Sequence, residues 1–388
     1  MLNAPVDRPI RVAQWGRIRW WNACAWYMVA LAEGLEQLGH TSLVLAPEGA
    51  PLLTEARKRG LSCPPIGDLG SAHPGRFLLA LRSVERLLEA ERIDVVNVHS
   101  GAGHAPLALI CRRLGIPLVR TRGDIRLPRV TPFQRWLYRR ATARHIAAAS
   151  FLRDAAYRPL GIDPEAVAVL RGGIEVRETV DRSEARKELR RVCNLPPGAW
   201  VAGMVARLSP VKGHRDVIAA VARQAKAWPD LHLVLAGGPA QLSAHDLAVA
   251  ARDHGIADRV HVVGRVEEPL RWAAGFDAAI IASIGSEAIC RSALEYLALG
   301  VPVIATRINA VAEVVTPEVG LQVEPGDAEG IAAALARLRE DPGLVEALRA
   351  AGPRHIAAHY RLQDFAARTA AIYREAIAAG SHGARSSR

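Results

Sequence analysis

The sequence predicts an α/β protein of two parallel-sheet domains joined by a short linker, with a crevice between them. Three observations carry this. Short apolar runs alternate with helical periods from Ile10 to Leu170, and again from Trp200 to Val323. Strand–helix alternation of this kind builds a parallel sheet covered by helices. The chain has 388 residues, enough for two or three domains. Composition changes over 176–197, a charged stretch that runs into a Leu195-Pro196-Pro197-Gly198 turn. These boundaries give an N-terminal domain at 1–180, a linker at 181–199 and a C-terminal domain at 200–364. A last helix at 365–380 is expected to pack back on the first domain, followed by a flexible tail at 381–388.

The elements follow in order. Ile10 to Gln14 is a first strand, and the loop WGRIRWWN leads into a helix from Ala23 to Leu38, closed by Gly39-His40. Ser42–Ala46 is the second strand, then come helices at Pro51–Arg59 and Phe77–Ala90. The strand Asp94–Val98 ends at His99; a helix at Ala105–Leu114 leads to the strand Ile116–Arg120. Pro132–Ala141 reads as a basic, aromatic helix, His145–Ala148 as a strand, Ser150–Tyr157 as a short helix and Val167–Leu170 as a last strand. A helix is expected within the linker, from Ser183 to Val192. The second series has strands starting at Trp200, Leu231 and Arg259, with helices at 214–227, 243–254 and 269–274. Ala278–Ala282 is a buried strand, broken by Ser283–Ser286. A helix is expected from Glu287 to Leu299, because apolar residues recur at 289, 293, 294, 297 and 298 and Gly300 can stop it. Strands at Val301–Ala305 and Val319–Val323, helical structure over 327–350 and a helix at Phe365–Ala378 complete the chain.

Composition narrows the function. There is no run of 18 apolar residues and no secretory leader at the start. Five cysteines, at 24, 63, 111, 193 and 290, follow no metal or disulfide spacing and suit a reducing compartment. The charge is uneven: 1–190 carries 29 Lys and Arg against 19 Asp and Glu, whereas 191–388 carries 21 against 20. Arg112 to Arg158 holds 12 arginines and only two acids, Asp124 and Asp154. That face is either a solvated arginine-rich surface or a contact for an anionic acceptor or anionic membrane. No nucleic-acid module accompanies it, so no nucleic-acid partner is expected.

Ligands in open α/β sheets sit beyond the carboxyl ends of the strands, and the polar motifs cluster there. In Val205–His214, Arg207 and Lys212 lie five apart across a turn; each can grip one phosphate of a diphosphate and offset a leaving group's charge. The turn lacks the glycine pattern of a Walker A loop. Gly237 and Gly238 end a strand, where glycines let a ligand approach the backbone or simply turn the chain. Gly264-Arg265-Val266-Glu267 ends the next strand, where a nucleotide base can stack or hydrogen-bond. Glu287 and Glu295 lie eight residues apart, about 12 Å along a helix, too far to share a proton but suited to the two ends of one elongated ligand. The helix start beside them is a natural anion site.

These pieces resemble the retaining, nucleotide-sugar-dependent glycosyltransferases of the family-4 type. The matching residues are Arg207, Lys212-Gly213, Leu235-Ala236-Gly237-Gly238, Val262-Val263-Gly264, the run FDAAIIAS and, above all, Glu287-Ala-Ile-Cys-Arg-Ser-Ala-Leu-Glu295 followed by ALGVPVIAT. The resemblance implies the GT-B fold: two Rossmann-like domains facing each other across a cleft. It implies that Arg207 and Lys212 bind the donor diphosphate and that Glu287 holds donor sugar hydroxyls. Ile289, Cys290 and Arg291 would offer backbone amides, and Glu295 would bind the ribose. In the first half, Gly16 stands where the family has a glycine pair in the first loop. Gly123 stands where the family often has a histidine near the transferred sugar, so Arg122 or Asp124 is expected to supply the polar contact, with His99 at the neighbouring strand end. The loop Arg171–Val176 resembles the family's Asn-Gly-Ile-Asp loop and is expected to act as a hinge.

The implied reaction moves a sugar, with retention, from a nucleoside diphosphate sugar (UDP- or GDP-linked) to a hydroxyl of an anionic glycan or lipid-linked acceptor, as in lipopolysaccharide or other cell-envelope polysaccharide synthesis. Charge on the departing diphosphate would be stabilised electrostatically. No metal or further cofactor is expected, since there is no Asp-x-Asp motif and no His/Cys ligand set. The expected location is cytoplasmic, at the inner face of the cell membrane. The rival functions are a nucleotide-sugar epimerase and a non-catalytic nucleotide-sugar-binding protein.

Overall fold

The computed structural model describes residues 8–175, 180–285 and 287–385. Part of the expected hinge loop, Ser286 and the end of the expected tail lie outside the described residues. The chain divides into two compact units: Met1–Glu175 with Arg361–Arg388, and Val176–Tyr360.

The first unit is built on a six-stranded parallel sheet. Its strands are β1 (Arg11–Trp15), β2 (Thr41–Leu45), β3 (Val95–Val98), β4 (Leu118–Arg122), β5 (Arg144–Ala147) and β6 (Val167–Val169). They are ordered β2-β1-β3-β4-β5-β6. The order reverses between β1 and β3, which leaves a ligand-sized notch at their carboxyl ends in sheets of this kind. Helices cover the sheet because each buries one stripe; in Ala23–Gln37, Ala25 to Ala32 is buried without interruption. The N-cap of that helix is Asn22, whose side chain accepts from Ala25 N.

The last helix, Leu362–Arg385, belongs to this first unit. It runs into the segment expected as a flexible tail. It lies close on the first helix at Gly34, where an added Cβ would come within 2.9 Å of Ala366 Cβ. Tyr373 on this helix is fully buried, and its hydroxyl accepts from Asn97 Nδ2 at 2.6 Å and Gln14 Nε2 at 3.3 Å. Burying such polar groups is tolerable only when they are paired, so this network fixes the helix over β1 and β3.

The second unit is a second six-stranded parallel sheet. Its strands are β7 (Trp200–Val205), β8 (Leu231–Ala236), β9 (Val260–Gly264), β10 (Ala278–Ile281), β11 (Val303–Thr306) and β12 (Leu321–Val323). The order is β12-β11-β10-β7-β8-β9, the doubly wound Rossmann arrangement with its switch point between β7 and β10. Its core gathers Met204, Ile218, Val221, Leu233, Leu235, Ile280, Ile304 and Leu335. Each fully buried side chain of this size is worth about 1.5–3 kcal/mol.

The helix expected at Ser183–Val192 is present as Arg182–Cys193, and it packs within the second unit. Arg186 pairs with the buried Asp277 at 2.7 Å, and Arg182 donates to the carbonyls of Phe276 and Gly300. The helix expected at Glu287–Leu299 begins only at Arg291 and ends at Ala298. Residues 287–290 form a buried loop instead, and burial of Ile289 and Cys290 in that loop mimics a helical apolar stripe.

Candidate functional site

The second unit gathers most of the predicted residues at the switch point of its sheet. After β7 the chain turns through Arg207 and a short 3-10 segment, Pro210–Lys212, into the helix His214–Gln224. Gly213 makes the joint. Its φ is +71°, and an added Cβ would sit 2.0 Å from the carbonyl oxygen of Ala282. Only glycine fits this left-handed, close-packed position. Ile284 N donates to Val211 O at 2.9 Å, so the loop after β7 and the loop after β10 are stitched together.

That stitching brings Lys212 onto Glu287. Lys212 Nζ and a Glu287 carboxylate oxygen form an ion pair, and Ser283 Oγ donates to the same oxygen at 2.5 Å. The Glu287 side chain is 7% exposed and that of Lys212 19%, so the pair is largely out of water. From the far side, Ala310 N donates to Glu287 O at 3.0 Å, and Thr306 Oγ1 donates to Ser283 O at 2.7 Å.

One helix turn on, Arg291 Nε meets Glu295 Oε1 at 2.6 Å. Burial raises the Glu295 carboxyl above its ordinary range, opposed by the Arg291 guanidinium. Between the two pairs lies Cys290, whose thiol burial pushes up to about 12. It is a packed side chain and not a thiolate. Tyr296, on the same helix, accepts from Val205 N at 2.9 Å and so ties the helix to β7.

The glycine pair adjoins the Arg207 loop. Gly237 N donates to Gly264 O at 2.6 Å, Leu208 N donates to Gly238 O at 2.9 Å, and a Cβ on Gly237 would lie 1.7 Å from Ala206 O. The loops after β7, β8 and β9 thus meet, with Arg265 and Val266 following directly on β9. Arg207 and Arg265 are exposed. Among the described residues, Arg207 has no carboxylate within the 4.0 Å of an ion pair, so its charge is available to a ligand.

Three predicted residues belong to the first unit: Gly16, His99 and Asp124. Gly16 follows β1, its N–H donates to Leu45 O at 3.0 Å, and Met28 Sδ would lie 2.6 Å from an added Cβ. His99 follows β3 and is 6% exposed. Its Nε2 lies 2.8 Å from Gln14 Oε1 and 3.1 Å from Asn97 Nδ2, inside the network that holds Tyr373. Burial lowers its imidazole to about 3, so it is neutral. Asp124, half exposed beyond β4, lies 3.8 Å from the fully buried Arg120, and Cys24 Sγ donates to Gly123 O at 2.9 Å.

Sequence reasoning missed Ser283, Gly213 as a lock, and His214. Ser283 was visible as the polar stop of an apolar strand. His214 follows Gly213 and is almost fully buried, and burial lowers its imidazole to about 4. It is therefore neutral and adds no competing charge beside Lys212. Among the described residues no cluster of three or more His, Cys, Asp or Glu is placed to hold a metal.

Residues 185–355 match the model of the family described as glycosyl transferases group 1, and residues 25–178 that of Glycosyltransferase Family 4. A protein named D-inositol 3-phosphate glycosyltransferase 1, from Catenulispora acidiphila, is 30% identical over 315 residues, spanning 74% of this chain and 73% of that one. A D-inositol 3-phosphate glycosyltransferase from Thermobispora bispora is 28% identical over 90% of this chain and 89% of its own. The crystal structure of Anabaena HepE in complex with UDP superposes with a TM-score of 0.81 at 18% identity, covering 94% of this chain and 99% of that one. With two Rossmann-like sheets, a paired cation and carboxylate at the second sheet's switch point, and these relatives, the chain belongs to the group 1, family-4 type glycosyltransferases of GT-B fold, enzymes that transfer a sugar from a nucleoside diphosphate sugar.

Proposed function

We propose that the second unit holds the donor along the carboxyl ends of β7–β10, and that transfer proceeds with retention. Arg207 and Lys212 take the diphosphate. Glu287 takes hydroxyls of the sugar and Glu295 those of the ribose, with the backbone amides of Ile289, Cys290 and Arg291 between them. Gly237 and Gly238 let the nucleotide approach the backbone, and Arg265 and Val266 meet the base. The observation that carries this reading is the Lys212–Glu287 pair at the switch point. In the free protein it neutralises both groups. A bound donor substitutes phosphate oxygens for the carboxylate on Lys212 and sugar hydroxyls for the ammonium on Glu287. As the sugar–phosphate bond breaks, negative charge grows on the diphosphate, and the two preset cations stabilise it. The UDP in the HepE structure favours a uridine donor over a guanosine one.

The acceptor falls to the first unit, where Asp124 is a half-exposed acid just beyond the carboxyl end of β4. His99 serves there by holding Gln14 and Asn97 in place. Relatives named for inositol 3-phosphate support an acceptor that carries phosphate, and the arginines of 112–158 supply the opposite charge. An anionic glycan or lipid-linked acceptor of the cell envelope fits this, with the protein working at the cytoplasmic face of an anionic membrane. Among the described residues no helix is long and apolar enough to cross one.

The test is a panel of UDP- and GDP-sugars against phosphorylated and neutral polyol or glycan acceptors. Nucleoside diphosphate release that depends on a phosphorylated acceptor, with a product of unchanged anomeric configuration by NMR, supports the reading. Equal release with neutral acceptors removes the anionic acceptor, and an inverted product removes retention.

A further inference from the structure

We infer that the segment Ile125–Phe133 of the first unit is a wedge that inserts into the headgroup region of an anionic lipid bilayer. This deepens the membrane contact proposed above by naming the element that makes it.

The segment follows β4, at the carboxyl edge of the first sheet. Of its nine residues only Pro128 is not exposed. Four are large and apolar: Ile125 is 42% exposed, Leu127 53%, Val130 48% and Phe133 52%. Exposed apolar side chains scattered singly need no explanation, but a contiguous set rimmed by polar groups marks an interaction surface. Trp20, at 70% the most exposed large apolar residue described, lies in the loop after β1. The Cys24 Sγ to Gly123 O bond seats the chain just beyond that loop against the start of the wedge.

The wedge is held, not loose. Arg122, buried in β4, donates to the carbonyl of Arg126 and, at 3.1 Å, to the hydroxyl of Tyr138. Asp124 Oδ1 accepts from Arg126 N at 3.1 Å. Thr131 caps the following helix, Pro132–Arg140, whose Phe133 and Trp136 rings stack at 5.8 Å.

Charge selects the occupant. Arg126, Arg129 and Arg135 are exposed among these apolar groups, and among the described residues none has a carboxylate within 4.0 Å. Arg139 and Arg140 continue the same sign along the helix. An apolar surface laced with unpaired arginines and with an aromatic pair suits a bilayer interface, where the rings sit at headgroup depth and the guanidinium groups meet anionic lipid. A second copy of the chain would bring arginine against arginine. The wedge also lies at the carboxyl ends of the first sheet's strands, where ligands bind in open α/β sheets, so the same edge would meet both the surface and the acceptor proposed above.

The experiment uses the whole protein with vesicles of phosphatidylcholine alone or with phosphatidylglycerol, read by co-sedimentation and tryptophan fluorescence. Binding is expected to the anionic vesicles, with a blue-shifted emission. The triple variant Leu127→Ser, Val130→Ser, Phe133→Ser should weaken it about ten-fold or more while leaving all charge in place. The triple variant Arg126→Gln, Arg129→Gln, Arg135→Gln should weaken it about a hundred-fold, near five-fold per arginine. Nucleoside diphosphate binding is measured on the same samples and should be unchanged in both; should the first triple lose its fold, the second carries the test. Absence of vesicle binding by the parent protein, or binding indifferent to both triples, overturns the wedge and leaves the donor site standing. Loss of a dimer in the first triple, seen by light scattering, overturns it in favour of a second copy. Failure of the parent protein to bind any nucleotide strikes instead at the proposed function.

Discussion

Replacing Lys212 by alanine, and separately Glu287 by glutamine, tests whether their ion pair is a ligand site or a brace. Lys212→Ala leaves a carboxylate that is 7% exposed with Ser283 as its remaining side-chain partner. Breaking a buried pair from one side costs about 3–5 kcal/mol. The lysine is 19% exposed, so water relieves part of this and the lower end is expected. For a unit of this size that corresponds to a fall in Tm of about 6–12 °C. The same variant removes a charge-assisted contact to the diphosphate, worth about 1.5–3 kcal/mol, so nucleoside diphosphate affinity should fall about 10- to 150-fold by calorimetry. Glu287→Gln acts in the opposite direction on that assay. It frees the ammonium from its carboxylate, so a diphosphate without sugar should bind as tightly as before or more tightly, while sugar transfer falls. The reasoning is refuted if Lys212→Ala leaves diphosphate affinity within about two-fold, or if Glu287→Gln weakens it as much as Lys212→Ala does.

Three further outcomes follow from the geometry. Gly213→Ala forces a side chain into a left-handed position against the Ala282 carbonyl; it should lower Tm by several degrees and abolish diphosphate binding, read by thermal shift with and without nucleotide. Glu295→Gln should raise Tm at neutral pH while weakening nucleotide binding. Burial raises the folded-state carboxyl pKa, so the ionised form costs stability as pH rises above the unfolded value, and the variant's gain should vanish at and below that value. Acid should destabilise the first unit early. His99 and His145 are held neutral, with folded values lowered by burial to about 3 and about 4. Unfolded histidine takes a proton near 6.5, so stability is full above that pH and is lost as pH falls toward the folded values, at up to about 1.4 kcal/mol per pH unit for each group. A Tm that is flat between pH 7 and about 4.5 would contradict this.

The parallel strands were legible because each is a short apolar run followed by a helical period; β10, the run Ala278–Ile281, is buried along its whole length. The polar residues gathered around β7–β10 were legible as residue types at strand ends. What pattern reading could not supply was pairing at a distance. Lys212 and Glu287 are 75 residues apart, and their loops meet through the close approach of Gly213 to Ala282 and the Ile284 N to Val211 O hydrogen bond. Tyr373 reaches Asn97 across 276 residues, which turns His99 from an apparent strand-end ligand into part of a buried network. The start of the helix at Arg291 was misread because a loop packed under neighbouring segments needs apolar residues as much as a helix face does. The helix at Arg182–Cys193 was legible from the sequence, but its docking was not: a highly charged helix looks solvated until its arginines find Asp277 and the carbonyls behind it.

The return of the last helix to the first unit has a consequence for how the protein is made. Residues 176–360 are an insertion between two pieces of one fold. A ribosome emits Gln14, Asn97 and the groove at Gly34 early, but Tyr373 and Ala366 only after the whole second unit has been translated. Domains made during synthesis tend to fold as they emerge. Here the inserted unit can finish while its host still awaits its final helix, so a message cut short before codon 361 would yield a complete second unit attached to an unclosed partner.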